Sequence, residues 1–193
     1  IQKIISLTFI IMPGITLIFN QMSNQKLEEE YKKINDKFQK ELLSIKPDLK
    51  PHITLMHFPG NEGDKYYEKI KLAITKTANQ FRSYKINVNG LAMFVRGDKY
   101  ILYFTTPYNR ILRKIHKKIW KELKNIYSED NLYSPKVLTP HITIPIYESN
   151  KENTFRVLEE LSKMDFDFEL TVSDIAYITG NLNEPKVFFK KPL

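Results

Sequence analysis

The segment Pro51-His52-Ile53-Thr54-Leu55 returns later in the chain as Pro140-His141-Ile142-Thr143-Ile144. Two further pairs flank it in the same order. Ile15-Thr16-Leu17-Ile18-Phe19 corresponds to Tyr100-Ile101-Leu102-Tyr103-Phe104, and Val88-Asn89-Gly90-Leu91-Ala92-Met93 to Val172-Ser173-Asp174-Ile175-Ala176-Tyr177. Three matches at a nearly constant offset mean that the chain is written twice. Any fold it adopts must accommodate two copies of one unit, about 13–98 and 99–193, with the Pro-His-Ile-Thr motif at the same place in each.

Each copy reads strand, helix, strand, helix, strand. Leu27, Tyr31, Ile34, Phe38 and Leu42 recur at helical spacing and predict a helix over Asn24 to Ile45. A second helix is expected after Asp64 as N-cap, with Tyr67, Ile70, Ile74 and Phe81 on its apolar face. A third follows Pro107 and carries Ile111, Ile115, Ile119 and Leu123. The fourth runs from about Asn150 to Lys163 with Phe155, Leu158 and Leu161 aligned. Strands are expected at Ile15–Phe19, His52–Phe58, Lys85–Val95, Tyr100–Thr105, His141–Tyr147, Asp167–Ile178 and Lys186–Lys190.

With 193 residues, 42% of them apolar, the chain can bury one core of ordinary size. It contains no Cys, which excludes disulfides, thiolate metal sites and a cysteine nucleophile. The net charge of +8 suits a polyanionic partner such as RNA. Lysines on solvated helix faces account for that charge equally well. Residues 1–12 are apolar apart from Gln2, Lys3 and a few hydroxyl side chains, are short for a membrane span, and lack a signal-peptidase site. They are read as an extension outside the domain. A cytoplasmic monomer without a stable membrane span is expected, although this extension leaves secretion or membrane association open.

The duplicated motif carries the chemistry. Side chains alternate along a strand, so His52 and Thr54 share one face and Ile53 and Leu55 the other. The second copy places His141 and Thr143 against Ile142 and Ile144 in the same way. If a pseudo-twofold axis relates the copies, both pairs line one groove. Two imidazoles there can act as general acid and general base near neutral pH, while the threonine hydroxyls donate to non-bridging phosphate oxygens. His57 and His116 have no counterpart in the other copy and are read as structural or solvent-exposed. The chain has no Gly-rich phosphate loop, no G-x-S-x-G and no H-E-x-x-H, and neither motif histidine has a closely spaced second ligand for zinc. No metal and no cofactor are expected.

On these motifs the chain resembles the 2H phosphoesterases, the group that includes LigT-like RNA ligases and cyclic phosphodiesterases. The likeness covers roughly residues 13–193, including Phe94 to Leu123 and the ending Val172 to Leu193. It implies an α+β fold of two lobes, each an antiparallel sheet with flanking helices, enclosing a basic cleft that holds both His-x-Thr motifs, with strand exchange between the halves allowed. It also implies that His141 is the base and His52 the acid, an assignment the symmetry makes reversible. Thr54 and Thr143 would hold the phosphate. Phe94, Tyr103, Tyr147 and Tyr177 lie on or beside the motif strands and can stack a base, while Arg96, Lys99 and Lys186 can reach phosphates. The activity implied is hydrolysis of a 2',3'-cyclic or 2',5'-linked phosphodiester in RNA or a small nucleotide. Two alternatives stand beside it: destruction of a cyclic nucleotide or oligonucleotide second messenger, and a non-catalytic RNA-binding domain.

Overall fold

The computed structural model describes residues 13–38, 50–58, 65–96, 99–126, 133–144, 151–181 and 184–193. In chain order they form β1 (Gly14–Phe19), α1 (Gln21–Phe38), β2 (His52–His57), α2 (Tyr67–Ala78), β3 (Tyr84–Asn89), β4 (Leu91–Arg96) and β5 (Lys99–Thr105). There follow α3 (Arg110–Leu123), a 3-10 turn (Lys124–Ile126), β6 (His141–Thr143), α4 (Lys151–Leu161), β7 (Asp167–Asn181) and β8 (Glu184–Pro192). Local chemistry sets several of these boundaries. The Asn20 side chain accepts from the Ser23 amide at 2.9 Å and opens α1. Asn109 does the same for α3, accepting from the Leu112 amide at 2.8 Å. The expected cap Asp64 lies outside the described residues, and Tyr66, which precedes α2, makes no side-chain cap.

The strands run in the order β3-β7-β1-β2-β6-β5-β4, all neighbours antiparallel, with β8 also paired to β7. From the β2–β6 junction outward, β1 and β5 are equivalent, then β7 and β4. Two register pairs locate the axis. Ile53 pairs with Ile142, its own counterpart, and Ile86 pairs with Leu170, counterparts under the Val88/Val172 correspondence. A position that pairs with its own counterpart lies on the twofold axis, so the axis passes through both pairs. The sheets of the two lobes therefore join at the motif strands in one continuous path.

The structure departs from the sequence reading at three points. The run expected as one strand over Lys85–Val95 breaks at Gly90, whose φ of 129° only glycine adopts without strain. There the chain leaves β7 for β5, and the Gly90 carbonyl accepts from the Thr105 amide at 3.0 Å. The first copy thereby lends β4 to the sheet of the second. Next, pairing with the motif strands equates Leu17 with Phe104 rather than Leu102, two residues beyond the sequence alignment. An even shift leaves every side chain on its expected face. Finally, two residues expected on apolar helix faces are exposed: α3 buries Leu112 in place of Ile111, which is 40% exposed, and α4 buries Thr154, Val157 and Leu161 in place of Phe155, which is 44% exposed. The Phe155 ring lies 5.9 Å from that of Tyr100.

The aliphatic faces form the core. Ile15, Leu17, Ile53, Leu55, Phe104, Ile142 and Ile175 are all fully buried, each worth roughly 1.5–3 kcal/mol in transfer from water. Packed over them, α2 lies on β7 and β8 and against α3, while α4 lies on β5. Gly14 marks a close approach: a Cβ there would stand 2.7 Å from the Met56 carbonyl oxygen and 2.9 Å from His57 Nδ1. Gly14→Ala should cost about 1–3 kcal/mol, because a backbone atom must shift to admit it. Thermal unfolding of the variant checks this, and an unchanged Tm would show that β1 relaxes freely. Among the described residues, no helix is long and apolar enough to cross a membrane.

Candidate active site

Because Ile53 faces Ile142 in an antiparallel pair, His52 stands opposite Thr143 and Thr54 opposite His141. The outer strands extend both rows. One runs Asp174, Ile18, His52, Thr143, Tyr103, Ala92; the other runs Lys190, Ala176, Thr16, Thr54, His141, Thr105. The two histidines and two threonines thus form a rectangle on one face, with the histidines across its diagonal at roughly 7–8 Å between backbone positions.

Both rings are held identically. His52 Nδ1 lies 2.8 Å from the Lys50 carbonyl oxygen, and His141 Nδ1 lies 2.8 Å from that of Thr139, each two residues upstream. A carbonyl only accepts, so Nδ1 carries the proton and the lone pair of the neutral ring sits on Nε2. His52 is half-buried, and burial lowers its pKa, with the positive charge of a protonated His141 adding to the effect against the contrary pull of the Lys50 carbonyl. That direction favours the neutral form of His52, opposite to the acid role the resemblance implies for it. Behind the sheet, the Tyr31 hydroxyl of α1 donates to the Thr143 carbonyl at 3.1 Å. Burial raises the pKa of Tyr31, which keeps it a donor.

The aromatic residues divide. Phe94 and Tyr103 stack at 4.2 Å between centroids, and both rings lie against His141, at 4.9 and 5.2 Å. Tyr103 is itself buried, so of the two Phe94 keeps surface for a ligand. Tyr177 does not belong to the site. It follows Ala176 on β7, points to the opposite face, and packs at 1% exposure against Phe58 and Tyr67. Sequence proximity to a motif strand could not reveal this without the register. Tyr147 and the side chains of Arg96 and Lys99 lie outside the described residues, and Lys186 is exposed on β8. His57 packs edge-on against Tyr133 at 5.0 Å, and His116 is fully buried in α3.

The sequence reading missed three features. The Lys50 and Thr139 carbonyls orient the motif imidazoles, and the repeat could have pointed to them, since both lie two residues before the motif histidine. The Tyr31 anchor had no signal beyond core periodicity. A cavity of about 970 Å³ opens beside His52, lined by Asn24, Lys50, Asp174 and Lys190 among others. Its walls come from α1, β7 and β8, which only the fold brings together.

The amino-acid sequence matches the model of the 2'-5' RNA ligase superfamily over residues 24–184. No curated protein matches it. Among solved structures, a protein of Thermus thermophilus superposes with a TM-score of 0.61 at 13% identity, over 95% of this chain and 98% of that one. E. coli LigT complexed with 3'-AMP superposes with a TM-score of 0.56 at 12% identity, over 94% of each chain. A structure described as a phosphoesterase gives 0.52 at 11% identity, over 94% and 97%. At such identities the superpositions establish a shared fold, and the match along the sequence itself establishes kinship: the chain belongs to the 2'-5' RNA ligase superfamily, among the 2H phosphoesterases.

Proposed function

We propose that the protein is a metal-independent phosphodiesterase that cleaves a 2',3'-cyclic or 2',5'-linked phosphodiester in RNA or a small nucleotide. The observation that carries this reading is the rectangle of His52, Thr143, Thr54 and His141, with each imidazole held at Nδ1 by a backbone carbonyl so that the lone pair of its neutral form lies on Nε2. One ring takes a proton from water or a ribose hydroxyl, and the other gives one to the leaving oxygen. Repulsion from a protonated His141 adds to burial in lowering the His52 pKa, which favours a state with one ring protonated and the other neutral, so that acid and base are present together. Thr54 and Thr143 donate to the non-bridging oxygens as negative charge grows on them. LigT, of the same fold, is known complexed with 3'-AMP, which supports a nucleotide as ligand.

The imidazoles and hydroxyls supply proton transfer and charge stabilisation without a metal, and among the described residues no three His, Asp or Glu side chains cluster to hold one. Activity should therefore persist in EDTA. The assay is hydrolysis of a 2',3'-cyclic nucleotide, a 2',5'-linked oligoadenylate and a cyclic dinucleotide, with and without chelator. Loss of turnover on chelation, restored by a divalent ion, would overturn the metal-independent mechanism. No hydrolysis of any member would overturn the reading itself.

A further inference from the structure

A second groove, of about 650 Å³, is lined by none of the catalytic residues. Arg113, Lys117 and Trp120 recur at i, i+4 and i+7 along one side of α3, and Ser134, Pro135 and Lys136 face them. Among the described residues, no carboxylate lines it. The helix carries Arg110, Arg113, Lys114, Lys117, Lys118 and Lys121 against the single acid Glu122. We propose that this groove is a docking site for single-stranded nucleic acid, with Arg113, Lys117 and Lys136 taking backbone phosphates and Trp120 stacking a base. The proposal rests on the reading of the protein as an enzyme of nucleic-acid phosphodiesters.

Three observations favour that occupant. The groove is built rather than incidental, because His116 latches its two walls together. Its Nε2 donates to the Tyr133 carbonyl at 2.8 Å, its Nδ1 accepts from the Tyr108 hydroxyl at 2.8 Å, and the Arg113 guanidinium sits 4.9 Å over the Tyr108 ring. The groove also lies within reach of the motif strand, since Lys136 precedes His141 by five residues and so lies within about 18 Å of it. A strand held at both places would place a phosphodiester on the histidines while its flank lies on α3. Lastly, cations around one half-buried indole match the alternation of phosphate and base. An anionic membrane would instead call for a row of exposed apolar side chains, and on α3 only Ile111 is large, apolar and exposed.

Trp120 is the only tryptophan in the chain, so its fluorescence reports on this groove alone. A single-stranded RNA of about ten nucleotides should quench it, and a dinucleotide or inorganic phosphate at equal concentration should not. Lys117→Glu with Lys136→Glu should weaken binding of the ten-nucleotide RNA at least tenfold and make the slope of log K against log salt shallower by about 0.7 for each phosphate no longer neutralised. Hydrolysis of a dinucleotide or cyclic mononucleotide should be unchanged in this variant, with Tm confirming that it folds. Absent quenching, quenching matched by phosphate or the dinucleotide, or binding to phosphatidylserine vesicles that outcompetes the RNA would overturn the proposal. Quenching without any phosphodiester hydrolysis would keep the groove and sink the catalytic reading.

Discussion

His52→Ala and His141→Ala should each lower kcat by about 10² to 10⁴, the range for loss of a general acid or base, with little change in substrate affinity. In the proposed mechanism the two rings serve one proton-transfer step on opposite sides of a single phosphorus, so the double variant should be scarcely worse than the poorer single one. The pH dependence of kcat should be bell-shaped in the parent, and each single variant should lose one limb. Which limb disappears assigns the roles: if His52→Ala abolishes the acidic limb, His52 is the base, as the lowering of its pKa by burial favours. Thr54→Val and Thr143→Val should act through phosphate orientation and cost roughly 1–3 kcal/mol for each hydrogen bond left unmade. Near-parental turnover in either folded His→Ala variant would end the two-histidine mechanism.

A second large effect is expected far from the phosphate. Burial holds the His116 pKa down at about 4, from an ordinary 6.5, despite the favourable Tyr133 carbonyl. The unfolded chain therefore binds a proton that the folded chain refuses between those two values. Stability supplied by neutral His116 is complete above about pH 6.5, declines as pH falls, and is lost below about pH 4. The linkage amounts to roughly 3 kcal/mol over that interval. Both ring nitrogens are committed, so protonating Nδ1 also turns the acceptor for the Tyr108 hydroxyl into a competing donor. His116→Phe should cost about 1–3 kcal/mol at pH 7.5, by leaving the Tyr133 carbonyl and the Tyr108 hydroxyl unpaired. It should also flatten the dependence of stability on pH. Urea unfolding of parent and variant at pH 7.5 and pH 4.5 measures both, and parallel losses in the two proteins would assign the acid sensitivity elsewhere.

The sequence by itself pointed to a repeated unit and to a candidate site at its centre. A repeated Pro-His-Ile-Thr with strand alternation puts both polar pairs on one face and both isoleucines on the other, because side-chain period is a property of the local backbone. Helices α1 to α4 were legible for the same reason, since apolar residues recurring three and four apart leave one face to bury. What pairs with what was not legible. Whether Leu17 corresponds to Leu102 or Phe104 depends on hydrogen bonding between strands distant in sequence, and both choices satisfy the alternation. Gly90 could be read as a weak point in a strand, but the exchange of β4 across the axis needs a partner strand to leave and another to join. Tyr177 and Phe94 looked alike as aromatics near a motif, until register put one in the core and the other against His141. Only the tertiary structure decided these, because an aromatic ring lowers the free energy equally well in a core or on a ligand, and it is the packing of the other elements that leaves one of those places open.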